Sequence, residues 1–207
     1  MRGFLKPLFT VAALALMIGF ANVTANADPV TFSTTASFNG GAFSSPNAIV
    51  FGGMGNQLSL TFTGVTNSMV DTSPAGFTFA SLGEIQTATT GTGATITPGT
   101  TFAIRVTQTV PGAGTGDFSG TLSGTISQNT STGQILFTVT HIEINGVSYD
   151  IQNNPLALVP PSTNNGVTSI QARISTPTAV PEPASLFLLG TGLAGIGTAL
   201  RRRLSKS

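Results

Sequence analysis

Apolar residues between positions 28 and 174 recur with a period of two along short runs. Leu58, Leu60 and Phe62 alternate with polar residues, and the run from residue 102 to residue 106 has the same pattern. Such alternation sets one face of a β-strand against a core and the other against solvent, whereas a helix needs an apolar residue every three or four positions. No helical stripe persists in this region, so the pattern predicts an all-β fold.

The spacing of these runs predicts about eight to ten strands in a single antiparallel β-sandwich, jelly-roll-like, over residues 28–174. A linker follows at residues 175–180. The chain has no cysteine, so no disulfide can stabilise this domain and its core must do so. We expect most of the phenylalanines of the domain to lie in that core: Phe32, Phe38, Phe43, Phe51, Phe62, Phe77, Phe79, Phe102, Phe118 and Phe137.

The segment HIEINGVSYDI contains the clearest local turn signal. Asn145 and Gly146 both tolerate the positive φ that a two-residue hairpin turn requires. Pairing across this turn puts Tyr149 on an apolar face and His141 and Asp150 on the opposite face. The predicted pairs are Ile144 with Val147, Glu143 with Ser148, Ile142 with Tyr149 and His141 with Asp150.

The apolar phase changes just before this hairpin. Apolar residues occupy odd positions from 135 to 139 and even positions from 142 to 144. A slip of one residue near Thr140 or His141 predicts a β-bulge there.

The same hairpin brings the only histidine of the chain beside an acid and a serine. An enzymatic interpretation would make Ser148 the nucleophile, His141 the base and Asp150 the residue that orients the base. An exposed hairpin face, however, offers no cleft and no evident oxyanion donors. We therefore expect a solvated ion pair between His141 and Asp150 worth less than about 1 kcal/mol. We predict that the chain is not an enzyme and holds no catalytic residue.

The charge distribution argues against nucleic acid as a partner. Between residues 28 and 180 only Arg105 and Arg173 are basic, against six acidic residues, which gives this part a net charge of −4. Binding to a phosphate backbone needs clustered lysine and arginine, and two isolated arginines do not provide it.

The residue types also limit metals and cofactors. With no cysteine and one histidine, a zinc or haem site has too few ligands, so we predict no cofactor and no metal site. One alternative stays open: carboxylates distant in sequence could meet at an edge of the sandwich and bind calcium. The candidates are Asp71, Glu84, Asp117 and Asp150.

The first 27 residues have the three zones of a secretory signal peptide. Two basic residues precede an apolar zone at 8–23, and Ala25 and Ala27 offer small side chains to signal peptidase, which we expect to cut before Asp28. The alternative is an uncleaved N-terminal anchor. In either case the β domain is exported.

The C-terminal region contains a second apolar segment. Residues 184–200 carry no charge, and a helix of that length spans about 25 Å, enough for a minimal transmembrane helix. Arg201, Arg202 and Arg203 follow directly. The positive-inside preference keeps these arginines in the cytoplasm and puts the preceding domain on the periplasmic side of the inner membrane.

Pro181, Glu182 and Pro183 stand just before this segment and hold the chain extended, accessible to a protease. The order of Pro-Glu-Pro, an apolar span and an arginine cluster, over residues 181–203, resembles the PEP-CTERM sorting signal of Gram-negative bacteria. The resemblance implies that an exosortase, a membrane-embedded protease, recognises Pro181, Glu182 and Pro183 and removes the helix during transfer to the cell surface. These three residues are then substrate features of the chain.

A second resemblance concerns the domain between the two signals. The order GFTFASLGEI, TTFAIRVTQTVP, DFSGTLSGTI and ILFTVTHIEINGVSYDI is similar to the choice-of-anchor K domain. That family is an extracellular β module found ahead of interchangeable surface anchors. The resemblance covers nearly all of residues 30–175 and implies no catalytic residues.

These features together predict a cell-surface or extracellular-matrix protein. The PEP-CTERM resemblance implies an association with exopolysaccharide and biofilm, so we expect a structural or adhesive role in that layer. The alternative is a non-catalytic glycan-binding module for exopolysaccharide, and a hydrolase is a more distant third. Binding to purified exopolysaccharide would separate the first two.

Overall fold

The computed structural model describes residues 29–73, 75–177 and 190. The described part contains a short 3-10 helix, Asn164–Gly166, and fourteen β-strands. The strands are β1 (Val30–Phe38), β2 (Asn47–Gly53), β3 (Asn56–Thr63), β4 (Ser68–Val70), β5 (Phe77–Thr90), β6 (Ala94–Thr95), β7 (Thr101–Val110), β8 (Gly114–Ser123), β9 (Thr125–Ile126), β10 (Gln134–Val139), β11 (His141–Ile144), β12 (Val147–Ile151), β13 (Leu156–Ala157) and β14 (Val167–Ser175). The all-β prediction is confirmed.

The strands form two six-stranded sheets and a two-stranded ribbon of β6 and β9. One sheet, here called the β1 sheet, has the order β13-β10-β8-β7-β1-β4. The other, the β5 sheet, has the order β11-β12-β14-β5-β3-β2. Every strand pair in the described part is antiparallel.

The two sheets share one apolar core. Phe32 of the β1 sheet meets Tyr149 of the β5 sheet edge to face, with ring centroids 5.8 Å apart. Phe62 and Phe102, also from different sheets, lie 5.9 Å apart. Each large apolar side chain contributes about 1.5–3 kcal/mol when fully buried. The core therefore supplies the stabilisation expected in a domain without disulfides.

The predicted alternation is confirmed in the strands that show it most clearly. Leu58, Leu60 and Phe62 are fully buried in β3, and the inward residues of β7 are buried as well. Most of the phenylalanines also lie in the core, as expected: Phe32, Phe38, Phe51, Phe62, Phe102, Phe118 and Phe137. Phe43 is half-buried. The prediction is wrong for Phe77 and Phe79, which are exposed on the outer face of the β5 sheet.

The β-bulge predicted near Thr140 is present, one to two residues earlier in the chain. The register of β10 against β8 shifts between Phe137 and Val139, and Val139 is exposed although Ile135 and Phe137 are buried. At Thr140 the chain leaves the β1 sheet at the end of β10 and enters the β5 sheet with β11. The inward positions have already changed from odd to even at the bulge, so Ile142 and Ile144 face the core.

Some predicted features lie outside the described residues. They are the signal peptide at 1–27 and, apart from Gly190, the membrane span at 184–200. Within the described ranges, no helix is long and apolar enough to cross a bilayer. The limits of the β domain, 28 and 174, stay a prediction; the strands begin at Val30 and end at Ser175.

Candidate functional site

The β11–β12 hairpin forms as predicted. Asn145 and Gly146 have φ values of 48° and 79°, as a two-residue turn with two left-handed positions requires. The register confirms the four predicted pairs, Ile144 with Val147, Glu143 with Ser148, Ile142 with Tyr149 and His141 with Asp150. The Asn145 side chain also donates a hydrogen bond to the carbonyl of Ala113, at 2.7 Å, and so holds the turn against the β7–β8 connection.

His141 and Asp150 form a hydrogen-bonded pair on the outer face of this hairpin. The distance from His141 Nδ1 to Asp150 Oδ1 is 2.7 Å, and both side chains are accessible to solvent. Ser148 is paired in register with Glu143, and within the described residues no hydrogen bond joins it to His141. The geometry is that of a surface ion pair, which contributes less than about 1 kcal/mol. The absence of catalytic residues in the chain stays a prediction.

Tyr149 points to the other side of the hairpin, as predicted, and is fully buried. Its hydroxyl donates to Gln108 Oε1 at 2.7 Å. The Gln108 amide nitrogen donates to the carbonyls of Gly112 and Ile144, at 2.8 and 3.2 Å. Burial raises the pKa of the Tyr149 phenol well above its usual range. These bonds connect the two sheets through the core.

An aromatic and cationic cluster lies on the outer face of the β5 sheet beside the hairpin. The rings of Phe77 and Phe79 meet edge to face with centroids 6.0 Å apart. The guanidinium carbon of Arg173 stands 4.2 Å from the centre of the Phe77 ring. In register, Arg173 lies between Asp150 on one side and Phe79 on the other. We call Phe77, Phe79 and Arg173 the Phe77 cluster.

The two arginines of the domain differ in what they bind. Arg105 makes two hydrogen bonds to the Asp117 carboxylate, at 2.8 and 2.7 Å, and stacks on Phe43. The hydrogen bond to Asp117 raises the pKa of the Arg105 guanidinium. Arg173, in contrast, makes no hydrogen bond or salt bridge with any described residue. Arg173 is exposed, so its guanidinium can bind an anionic or strongly polar group.

Strict alternation predicts the wrong face for Phe77 and Phe79 because of Gly83. The register of β5 against β14 shifts by one residue there, between Ile170 and Gln171, and Gly83 has a φ of +125°. Odd positions after the bulge, such as Ile85, point inward, whereas odd positions before it point outward. A glycine inside a strand pattern is the only sequence signal for this reversal.

Farther along the β5 sheet, the outer face is polar. Glu84 lies opposite Ser169, and Gln86 lies opposite Thr61, with all four side chains on the solvent side. Hydroxyl and amide groups dominate this area, here called the polar face. Within the described part of the chain, no three His, Asp or Glu side chains come together as a metal site would require.

The predicted processing sites all lie outside the described residues. Ala25, Ala27 and Asp28 form the predicted signal-peptidase site, and Pro181, Glu182 and Pro183 the predicted exosortase site. Arg201, Arg202 and Arg203, the predicted cytoplasmic stop, lie outside as well. Their roles stay predictions.

Comparison with known proteins identifies one feature. A family model, the PEP-CTERM protein-sorting motif, matches residues 179–203, a range that includes both the Pro-Glu-Pro segment and the three arginines. No curated protein and no solved structure matches the chain. The motif defines the class: an exported, exosortase-sorted protein, made as a membrane-anchored precursor and processed to the cell surface.

Proposed function

We propose that this protein is a structural or adhesive component of the exopolysaccharide or biofilm layer. The observation that carries the proposal is the sorting motif at residues 179–203, which supports delivery to the cell surface. The β domain is the part that remains after sorting. Among the described residues, its core contains no ionisable group other than Tyr149, and its charged residues are few. This composition is compatible with a structural module.

The route has two processing steps. Signal peptidase removes residues 1–27, and the span at 184–200 then holds the precursor in the inner membrane with the β domain in the periplasm. Exosortase cuts at the Pro-Glu-Pro segment and releases the domain to the cell surface or extracellular matrix. A reporter fused after Ser207 tests the orientation, because we expect it in the cytoplasm of cells lacking exosortase. Its recovery in the periplasm would contradict this topology.

We also propose the finer architecture. The two facing sheets form a jelly-roll-like β-sandwich, and the domain is of the choice-of-anchor K type. The shared core and the antiparallel pairing support the first statement. The second depends only on the order of the β segments in the sequence.

The intact mass of the protein recovered from the cell surface tests both processing steps. We expect termini at Asp28 and near Pro181. Glu182→Ala should retain the C-terminal segment, whereas Glu143→Ala, a matched loss of an exposed carboxylate in the domain, should be processed normally. Wild-type protein that still contains Arg201 at the cell surface would refute the second step.

Glycan binding is the second candidate function. The polar face favours it, because hydroxyl and amide groups on a flat sheet can match the hydroxyls of a polysaccharide. Saturable binding to purified exopolysaccharide, weakened by Gln86→Ala, would support it. A matrix defect in a deletion strain, without measurable affinity for the glycan, would favour the structural role.

A further inference from the structure

One end of the β domain carries a large share of its exposed apolar side chains. The described part has eight exposed large apolar side chains, and four of them lie at this end: Met69, Phe77, Phe79 and Val110. Met69 and Val110 are both register partners of Thr31, at the start of β1. Phe77 begins β5 and lies opposite Ser175. Met69 and Val110 point outward from the β1 sheet, and the two phenylalanines point outward from the β5 sheet. The four side chains therefore flank this end of the domain from both sides, and we call them the apolar end.

The chain leaves the β domain at the same end. Two residues after β4, the Thr72 hydroxyl lies 2.7 Å from the hydroxyl of Thr176. The Thr176 amide donates to the carbonyl of Gly76, at 3.1 Å. Pro177, the last residue of the described domain, is thus fixed beside the start of β5, within the apolar end.

Few residues separate this exit from the predicted membrane span. Residues 178–183 reach at most about 20 Å when extended. In the precursor, Pro177 is therefore held within that distance of the bilayer. A short tether turns a weak contact into an intramolecular one, at an effective concentration of about millimolar.

We propose that the apolar end docks on lipid of the outer leaflet of the inner membrane while the precursor is anchored. This inference rests on the proposed function, because it needs the span at 184–200. Met69 and the two phenylalanines provide apolar and aromatic contacts of the kind found at membrane interfaces. The Arg173 guanidinium, which has no hydrogen-bond partner among the described residues, lies beside them and is suited to a lipid phosphate.

Apolar contact and not charge drives this docking. The charged groups near the apolar end are Arg173, Asp71, Glu143 and Asp150, together with His141, so carboxylates outnumber the guanidinium. An anionic bilayer is therefore not favoured over a zwitterionic one. Docking also leaves three residues between Pro177 and Pro181, which keeps the Pro-Glu-Pro segment at the membrane surface where a membrane-embedded protease acts.

Single cysteines can test the proposal, because the chain has none of its own. Met69→Cys reports on the apolar end and Val50→Cys is the control. Phe79→Cys is a second probe, matched to Val50 because both native side chains are 57% exposed. Val50 lies in the same cross-strand row as Ala88 of β5. Ala88 is nine residues from Phe79 along β5, so Val50 and Phe79 are about 30 Å apart. The full precursor is reconstituted in phosphatidylcholine vesicles and treated with a membrane-impermeant maleimide.

We expect labelling at positions 69 and 79 to be about tenfold slower than at position 50. This difference corresponds to docking of about nine-tenths of the chains, because only the remaining tenth is open to the reagent. Detergent should remove the difference. Phe77→Ser with Phe79→Ser, both at exposed sites, should restore labelling of the Met69→Cys variant in vesicles. Added salt should leave the protection unchanged.

The other outcomes overturn the proposal in distinguishable ways. Equal labelling at all three positions, with the chain retained in the vesicle fraction after a carbonate wash, refutes docking alone. Loss of the chain from that fraction refutes the membrane-anchored precursor and docking with it. Slow labelling that persists in detergent means that the protein itself shields the sites. Protection in cells but not in vesicles means that a glycan or a protein covers this end.

Discussion

Raising the pH should destabilise this domain through a single side chain. Tyr149 is fully buried, and its hydroxyl donates to Gln108 Oε1. A phenolate at this position would lose that bond and face the lone pairs of the same oxygen. The Gln108 amide cannot turn to donate, since its nitrogen already binds the carbonyls of Gly112 and Ile144. Burial therefore raises the pKa of Tyr149, because the folded protein accommodates only the neutral phenol.

The size of the effect follows from proton linkage. The tyrosine of the unfolded chain ionises near pH 10, whereas in the folded chain the Tyr149 phenol stays protonated at that pH. The neutral phenol contributes its full stability below about pH 10, and the free energy of unfolding then falls by about 1.4 kcal/mol per pH unit above it. Tyr149→Phe leaves Gln108 Oε1 buried without its donor and costs about 1–3 kcal/mol at neutral pH. It also removes the titration, so the two proteins should reach equal stability between about pH 11 and pH 12.

Two measurements check this prediction. Urea unfolding at several pH values gives the difference between wild type and Tyr149→Phe, in which effects of other groups cancel. Tyr149 is the only tyrosine and the chain has no tryptophan, so the near-ultraviolet phenolate band reports on this residue alone. We expect that band to appear together with unfolding. A phenolate signal with a midpoint near pH 10 in a protein that keeps its β circular dichroism would refute the reasoning.

Three other substitutions, with Gly53→Ala as a control, test the Asn145 turn, the bulge at Gly83 and the surface pair. Gly146→Ala should lower the free energy of unfolding in urea by about 1 kcal/mol, because an alanine is strained at a φ of 79°. Space is not the cause, since only Pro177 is near a Cβ at this position. Gly53→Ala, where there is open space and no positive φ, should be neutral. Gly83→Ala should cost about 3 kcal/mol or more, because its Cβ would stand 2.6 Å from the carbonyl oxygen of Thr63 at a φ of +125°; a neutral result would mean that the bulge is not as described. His141→Ala should change stability by less than about 1 kcal/mol. It should also leave any hydrolytic activity intact, and loss of such an activity would make Ser148, His141 and Asp150 a catalytic group.

The parts of the fold that the sequence predicts are those with local causes. Asn145 and Gly146 set the turn, and the turn sets the register of every pair across it, so the hairpin could be predicted to the residue. In β3 and β7 the alternation is uninterrupted and the buried face follows from it. The candidate surface pair of His141 and Asp150 follows from the same register.

The rest depends on contacts between distant parts of the chain. β5 pairs with β14, in which Arg173 lies opposite Phe79, and no local pattern indicates that pairing. The Phe77 cluster needs both this pairing and the bulge at Gly83, so alternation alone places its rings in the core.

One buried polar network of this domain lies at the end from which the chain leaves it. Gln108 lies near the end of β7 and binds the carbonyl of Ile144, beside the Asn145 turn, while Tyr149 reaches it from the facing sheet. A satisfied polar network in a core fixes one relative position of the elements it joins, since any shift leaves a buried donor or acceptor unpaired. The two sheets are therefore held in register at the end from which Pro177 departs, without a disulfide. A docking surface made of side chains from both sheets, such as Met69 and Phe79, keeps its shape only under that condition. Gln108→Leu should accordingly loosen the apolar end before it unfolds the domain, and hydrogen exchange at β4 and the start of β5 would detect it.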